Sequence, residues 1–413
     1  MIQRVLLAVV LLGAVAAPAQ VPFVAETTAI PTATAGDLAI VPAPEPLIAA
    51  ADPLQNGLYV YATDGGLRQV VPYGALRGVD CRTGLAFATA PSSIVAAGAA
   101  VTQSVVFGAP GDGGLTDVTS GTTAVPTVAA LALYRPPDGG LEVIADDSAG
   151  TLRRLTVEDD LSGALRGVAA GTIALPGVPS GLVVDDRTAT LYAAVPSLGV
   201  FRVDLAQGQV NSLVPMDGGG FGSLVGGLTF YPLFDGGGLL LTTVPASDEV
   251  TVHELAGPNQ AVYVTRFRVE VGARVVRAPQ HVDVVANRLD GFDAGLFVIH
   301  DTSAANYKLV PWELLAQNTP VPLPVNVPED FVVADAGASD AGTADGGAAD
   351  GGIIDGGSGG GTGGGSSGTG AGPPARPLEP TGCGCTGVST ALFPALWGLW
   401  ILNRSRRRRT GEP

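Results

Sequence analysis

The body of this 413-residue chain reads as all-β. Short runs of Val, Leu, Tyr and Phe alternate with glycine-containing turns, and no stretch of the body holds a long 3.6-residue apolar period. Composition agrees, with 59 glycines, 32 prolines, 46% apolar residues and only 15% charged ones.

The turns repeat. Asp64-Gly65-Gly66-Leu67, Asp112-Gly113-Gly114-Leu115 and Asp138-Gly139-Gly140-Leu141 share one pattern, with Asp217-Gly218 and Asp235-Gly236 as variants. Asp-Gly supplies the positive φ angles of a tight hairpin, and strand-like residues flank each instance. Residues 58–62 and 67–71 therefore read as one hairpin. A second is 131–135 with 141–145, continued by 151–157. Three meanders follow, at 182–185, 191–195 and 199–204, at 228–231, 239–243 and 250–255, and at 282–285, 295–300 and 307–311. Antiparallel meanders repeated at this length predict the blades of a β-propeller. Residues 25–320 at roughly 40–50 residues per blade give six or seven blades. The alternative is an irregular pair of sandwiched sheets.

Both ends carry transport signals. Arg4, an apolar run at 5–16 and then Ala17-Pro18-Ala19 make a secretory leader over 1–19, cleaved before Gln20. Residues 326–381 read as a solvated linker. Asp335, Asp340, Asp345, Asp350 and Asp355 recur every five residues among Ala and Gly, ahead of a Gly/Ser tract. That period does not match the nonapeptide calcium repeat. Residues 382–413 hold Cys383 and Cys385, an apolar run at 388–402 with Trp397 and Trp400, and an Arg block at Arg406, Arg407, Arg408 and Arg409. The run is slightly short for a bilayer, its tryptophans suit the interface, and the arginines favour the cytoplasmic side. This order resembles the MYXO-CTERM class of sorting tails. The resemblance implies a transmembrane segment, cleavage by a membrane sorting protease near the cysteines, and display at the cell surface or outer membrane. A plain single-pass anchor is the alternative. Cys-Gly-Cys geometry is poor for bridging, and the body between the ends, residues 20–325, holds only Cys81, so disulfides do not stabilise it.

A family resemblance runs through the body in order. It starts at Gly57-Leu-Tyr-Val-Tyr61 and Gly78-Val-Asp80-Cys-Arg82. It continues through Gly181-Leu-Val-Val-Asp185-Asp186, Leu191-Tyr192, Gly199-Val-Phe-Arg202, Gly227-Leu-Thr-Phe-Tyr231, Tyr263 to Arg268 and Val282-Asp283-Val284. It ends at Gly295-Leu-Phe-Val-Ile-His-Asp301 and Asn306-Tyr-Lys-Leu-Val-Pro-Trp312. Together these segments resemble the β-propeller phytases. The resemblance implies six blades and a calcium-dependent phosphomonoesterase acting on myo-inositol hexakisphosphate. In that chemistry carboxylates hold calcium ions, and basic side chains complete a phosphate clamp. Carried over position by position, it implies Asp80, Asp283, Asp301 and Asp185 as metal ligands and Arg82 and Lys308 as phosphate contacts. Asp185 with Asp186 also suits plain turn chemistry, and Arg82 a strand-edge charge. Several family positions differ. Residues 40–46 replace an Asp-Asp-Pro segment, Ser180 and Gly226 replace glutamates, Val195-Pro196 replaces a Glu pair, and Gln280-His281 replaces Asp-Gly.

The remaining chemistry is sparse. Lys308 is the only lysine, and net charge is −16 with the tail arginines counted. An acidic body repels a polyanion unless a cation bridges them. His253, His281 and His300 lack zinc-site spacing; His281 and His300 are placed to meet across neighbouring strands. There is no Gly-x-Ser-x-Gly elbow or P-loop, and no basic patch outside the tail for nucleic acid. Two functions remain: a phytase-like phosphatase, or an inactive surface propeller with a binding or structural role.

Overall fold

The computed structural model describes residues 19–30, 36–42, 45–54, 57–99, 104–121, 123–125, 128–257 and 259–326. These fall within one compact unit. The expected leader (1–19) apart from Ala19, the expected linker (326–381) apart from Asn326, and the expected sorting tail (382–413) lie outside the described residues.

The fold is a six-bladed β-propeller. Blade 1 is Leu38–Val41, Leu47–Asp52, Gly57–Ala62 and Leu67–Val71. Blade 2 is Leu76–Arg82, Ile94–Ala99, Ser104–Gly111 and Gly114–Asp117, with Thr123–Ala124 paired to its third strand. Blade 3 is Leu131–Tyr134, Glu142–Asp146, Thr151–Asp159 and Leu165–Ala174. Blade 4 is Gly181–Asp185, Thr190–Val195, Gly199–Asp204 and Val210–Pro215. Blade 5 is Leu228–Pro232, Gly238–Val244, Glu249–Gly257 and Gln260–Val271. Blade 6 is Val282–Val285, Leu296–Asp301, Asn306–Pro311 and, from the start of the chain, Ala25–Glu26.

The first strand of each blade lines the axis and the fourth faces outward. Inner strands are therefore packed on both faces by neighbouring blades. Leu38–Val41, Leu131–Tyr134 and Val282–Val285 are buried at every position, whereas Thr151–Asp159 mixes buried and exposed residues. Small residues suit the crowded axis: second strands read Leu-Ile-Ala-Ala-Ala-Asp and Ile-Val-Ala-Ala-Gly-Ala. Apolar clusters fill the gaps between blades: one joins blade 1 to both blade 2 and blade 6, and another holds Leu133, Val143, Ile94 and Phe107 between blades 2 and 3. Each fully buried Leu, Val or Phe there stabilises by roughly 1.5–3 kcal/mol.

Two glycines show why the family-like pattern begins its third strands with Gly. Gly57 and Gly199 have φ of +100° and +104°, and a Cβ on either would lie 2.1 Å from the carbonyl oxygen of Val71 or Val214. No other residue fits both the angle and the approach.

The N-terminal segment closes the ring. Ala19–Val21 adds a parallel strand to the edge of blade 5, pairing Ala19 with Phe267 and Val21 with Val269. Ala25–Glu26 then pairs with Lys308 and Leu309 of blade 6. Next, Thr28 N donates to Gly65 O of blade 1 and Ile30 N to Ala305 O of blade 6. At the other end, the helix Trp312–Asn318 packs under blades 5 and 6. Trp312 stacks on Tyr231 with ring centroids 3.7 Å apart. Asn326 ties down the last described turn through Tyr231, Pro232 and Phe234. Among the described residues no helix is long and apolar enough to cross a membrane.

Candidate functional site

A polar collar surrounds the axis. Asp37, just before the inner strand of blade 1, accepts the Val79 amide of blade 2 at 3.1 Å. Asp80 of blade 2 accepts the Leu133 amide of blade 3 at 2.7 Å. The Arg135 amide at the end of blade 3 donates to Asp186 of blade 4 at 3.0 Å. Ser180 of blade 4 donates to Gly226 O of blade 5 at 2.6 Å. Thr229 of blade 5 donates to Asp283 of blade 6 at 3.2 Å. Asp283 in turn accepts the Ile40 amide of blade 1 at 2.7 Å. All six seams between blades are bridged in this way.

Asp80 and Asp283 share one local geometry. Each follows a Val, takes the amide of its own next residue (Cys81 at 2.6 Å, Val284 at 2.8 Å), and takes one amide from the next blade. Their side chains are fully buried. Such carboxylates stay inside because amide donors replace the water they lost.

Arg82 is also fully buried, and it forms an ion triad. Its guanidinium contacts Asp80 at 2.9 Å and Asp186 at 3.0 Å and donates to Cys81 O at 2.8 Å. Burial pushes the Asp80 carboxyl upward, and Arg82 with the Leu133 and Cys81 amides pulls it back. The triad links blades 2 and 4 across the end of blade 3. Asp185 lies beside it but faces another way. It holds Arg187 at 2.9 Å and Thr188 at 3.0 Å, while Arg187 reaches Leu233 O and Gly237 O of blade 5.

Asp301 and Lys308 meet elsewhere, 3.6 Å apart at the hairpin of blade 6. Lys308 also contacts Glu26 at 2.6 Å and Asn306 at 2.9 Å. Asp301 accepts from Ser303 Oγ at 2.8 Å and from the Arg277 amide at 3.2 Å. Arg274 pairs with Glu26, and Lys308 holds the Glu26 carboxyl below its usual range. These residues line an open groove of about 420 Å³ between blades 5 and 6.

The inherited residues therefore divide into four places. Asp80 and Arg82 are together in the triad, Asp185 holds Arg187 and Thr188 beside it, Asp283 sits in the collar, and Asp301 and Lys308 share the groove. Among the described residues, no three His, Cys, Asp or Glu side chains converge as a metal ion would require. His281 and His300 do meet, with ring centroids 5.5 Å apart, and His281 faces Asp37 at 3.4 Å.

Reading the sequence alone misses Asp37, Thr229, Glu26 and Arg274. The first two carry a usable signal, since each sits at the start of an inner strand. Glu26 carries none, because its partner lies 282 positions away.

The family model described as Phytase matches residues 16–327. The chain belongs to the phytase family. Two solved structures of BBS1N in complex with ARL6DN, one soaked with lead and one with mercury, are also similar. Each is 14% identical over 64% of this chain, with TM-scores of 0.40 and 0.39, and the match covers 74% and 73% of those chains.

Proposed function

We propose that this member of the phytase family is exported and displayed at the cell surface as a binding or structural propeller, with its inherited carboxylates committed to holding the blades. One observation carries the reading. Asp80 and Asp283 each spend their oxygens on the amide of their own next residue and on a buried amide of the adjacent blade.

The family implies calcium, and the donors present do not fit it. Calcium takes six to eight oxygen ligands. Here Asp80 is neutralised by Arg82, Asp185 by Arg187, and Asp301 lies against Lys308. No reaction step through calcium follows from these residues.

Export and display are supported by the leader, the acidic linker and the Cys-apolar-Arg tail. On this reading a sorting protease meets the tail, and the membrane holds the chain before processing. A second reading is a calcium-dependent phosphomonoesterase on inositol hexakisphosphate. The family match along residues 16–327 favours it, as does the groove that keeps Asp301 and Lys308 together.

Phosphate release from inositol hexakisphosphate by the exported protein separates the two. We expect no release above background with or without added calcium. Release that rises with calcium and vanishes on chelation would establish the second reading.

A further inference from the structure

A second open groove, of about 600 Å³, lies where blade 4 passes the chain to blade 5. One wall is the hairpin between the second and third strands of blade 4, which carries Ser197. The other is the connecting loop 216–224. That loop is held from two sides. Val225 N donates to Pro196 O at 3.1 Å and joins the walls. From beneath, Nε2 of the buried His253, on the third strand of blade 5, donates to Gly219 O at 2.9 Å. The His253 ring packs against Phe221 and Tyr263, with centroids 5.3 and 5.8 Å away. Gly220 has a φ of +71°, and a Cβ there would press on the Tyr263 ring at 3.0 Å, so glycine lets the loop lie this close.

The chemistry of the groove differs from that of the collar. Met216 packs on the apolar cluster of Val214, Val225 and Phe221, and Leu224 stands 46% exposed at the edge. Leu198, on the blade 4 hairpin, is 41% exposed. Apolar side chains held open to water beside one cavity mark a surface that gains by being covered. The polar side chains are few. Ser197 and Asp217 are exposed, and the Asp217 carboxylate has no hydrogen-bond or ion-pair partner among the described residues. No Lys or Arg lines the groove. An anion would therefore meet an uncompensated carboxylate and no cation. A ligand with an apolar body and one ammonium group meets both demands of the site.

We propose that this groove binds a small organic cation, with its apolar body on Met216 and Leu224 and its ammonium at Asp217. This rests on the binding form of the function proposed above, and it names the ligand class. A groove of this volume takes a molecule of drug size, so the body is an aromatic ring or a short alkyl chain. The flexible thioether of Met216 adapts to either.

The test titrates phenethylamine into the exported chain, followed by ligand-observed NMR, beside phenylethanol and phenylpropionate, which keep the ring and change the charge. Saturable binding of the amine is expected, about two- to fivefold tighter than the alcohol, the worth of one exposed ion pair. The acid should bind more weakly than either. Asp217→Asn should abolish the preference for amine over alcohol while both still bind. Leu224→Ser should weaken both alike. Both side chains are exposed, so each variant should keep the parent's melting temperature. On the parent alone, the amine's advantage should shrink as salt is raised. No saturable uptake of the amine overturns the proposal, and so does uptake that Asp217→Asn and Leu224→Ser both leave unchanged. Calcium-dependent phosphate release from inositol hexakisphosphate would instead overturn the binding reading itself, which is a different measurement.

Discussion

Replacing Arg82 with Met tests whether the inherited acid–base cluster is structural. Arg82 is fully buried and contacts two carboxylates that are themselves buried, at 2.9 and 3.0 Å. Met fills much of the volume but removes the cation that contacts both Asp80 and Asp186, with Arg135 still near Asp186. The amides of Leu133, Cys81 and Arg135 remain, so the anions keep some solvation. Removing one partner of a buried pair costs about 3–5 kcal/mol. For a body of about 300 residues, with an unfolding entropy of about 2.1 cal/mol/K per residue, that lowers the melting temperature by roughly 5–8 °C. Urea unfolding of the mature chain should show a lower midpoint with an unchanged slope. The triple variant Asp80→Asn, Arg82→Met, Asp186→Asn removes every charge and should recover at least half of the loss, since neutral replacements of buried ion pairs are often tolerated. Arg82→Met within about 0.5 kcal/mol of the parent, a surface-like effect, would refute the reasoning. A variant that kept its stability but lost phosphate binding would point to a ligand site instead.

Other outcomes follow from the same geometry. Burial raises the Asp146 carboxyl to about 7. The folded chain then holds a proton that the unfolded chain releases, so stability falls as pH rises from about 4 to 7; Asp146→Asn should remove on the order of 2–4 kcal/mol of that slope, read by melts across pH. His253 has the opposite sign. Burial lowers its pKa while Nε2 bonds Gly219 O at 2.9 Å, so stability should fall as pH drops below about 6.5, and His253→Gln should flatten the dependence. Millimolar calcium should leave the melting temperature unchanged. A site filled at 100 times its Kd would add about 2.7 kcal/mol, so a clear upward shift abolished by chelator would contradict the donor geometry. Lys308→Met should leave Glu26 paired with Arg274 alone and remove the cation beside Asp301, loosening residues 24–27, seen as faster hydrogen exchange at Val24 and Thr27.

Much of the blade pattern is written locally. The third strand of blade 4, Gly199–Asp204, and the hairpin strand Leu67–Val71 stand where the sequence places them. Both follow a tight turn. Other strands exist only because a neighbour offers an edge. Leu165–Ala174 is rich in Ala and Gly and largely exposed, and it is ordered by its long ladder with Thr151–Asp159. Leu38–Val41 is short and followed by prolines, so its identity comes from the axis it lines. Trp312–Asn318 has no side-chain cap, and its two turns are fixed by the docking of Trp312 and Leu315. The site shows the same division. A resemblance singles out Asp80 and Asp283 as residues that matter, but the partners that tie them to the next blade include the backbone amides of Leu133 and Ile40. An amide carries no side-chain signature, so nothing in the linear pattern announces that these acids are already engaged.

The stack of Trp312 on Tyr231 also has an experimental use. Of the chain's three tryptophans, the other two, Trp397 and Trp400, lie within residues 382–413. In a chain truncated after residue 381, Trp312 is the only indole. It is fully buried, and its N–H bonds Pro324 O at 2.9 Å. Its emission becomes a single-site optical gauge of whether the C-terminal segment is seated beneath blades 5 and 6. A red shift at low denaturant, before the circular dichroism of the strands changes, would show that segment peeling away while the ring still holds.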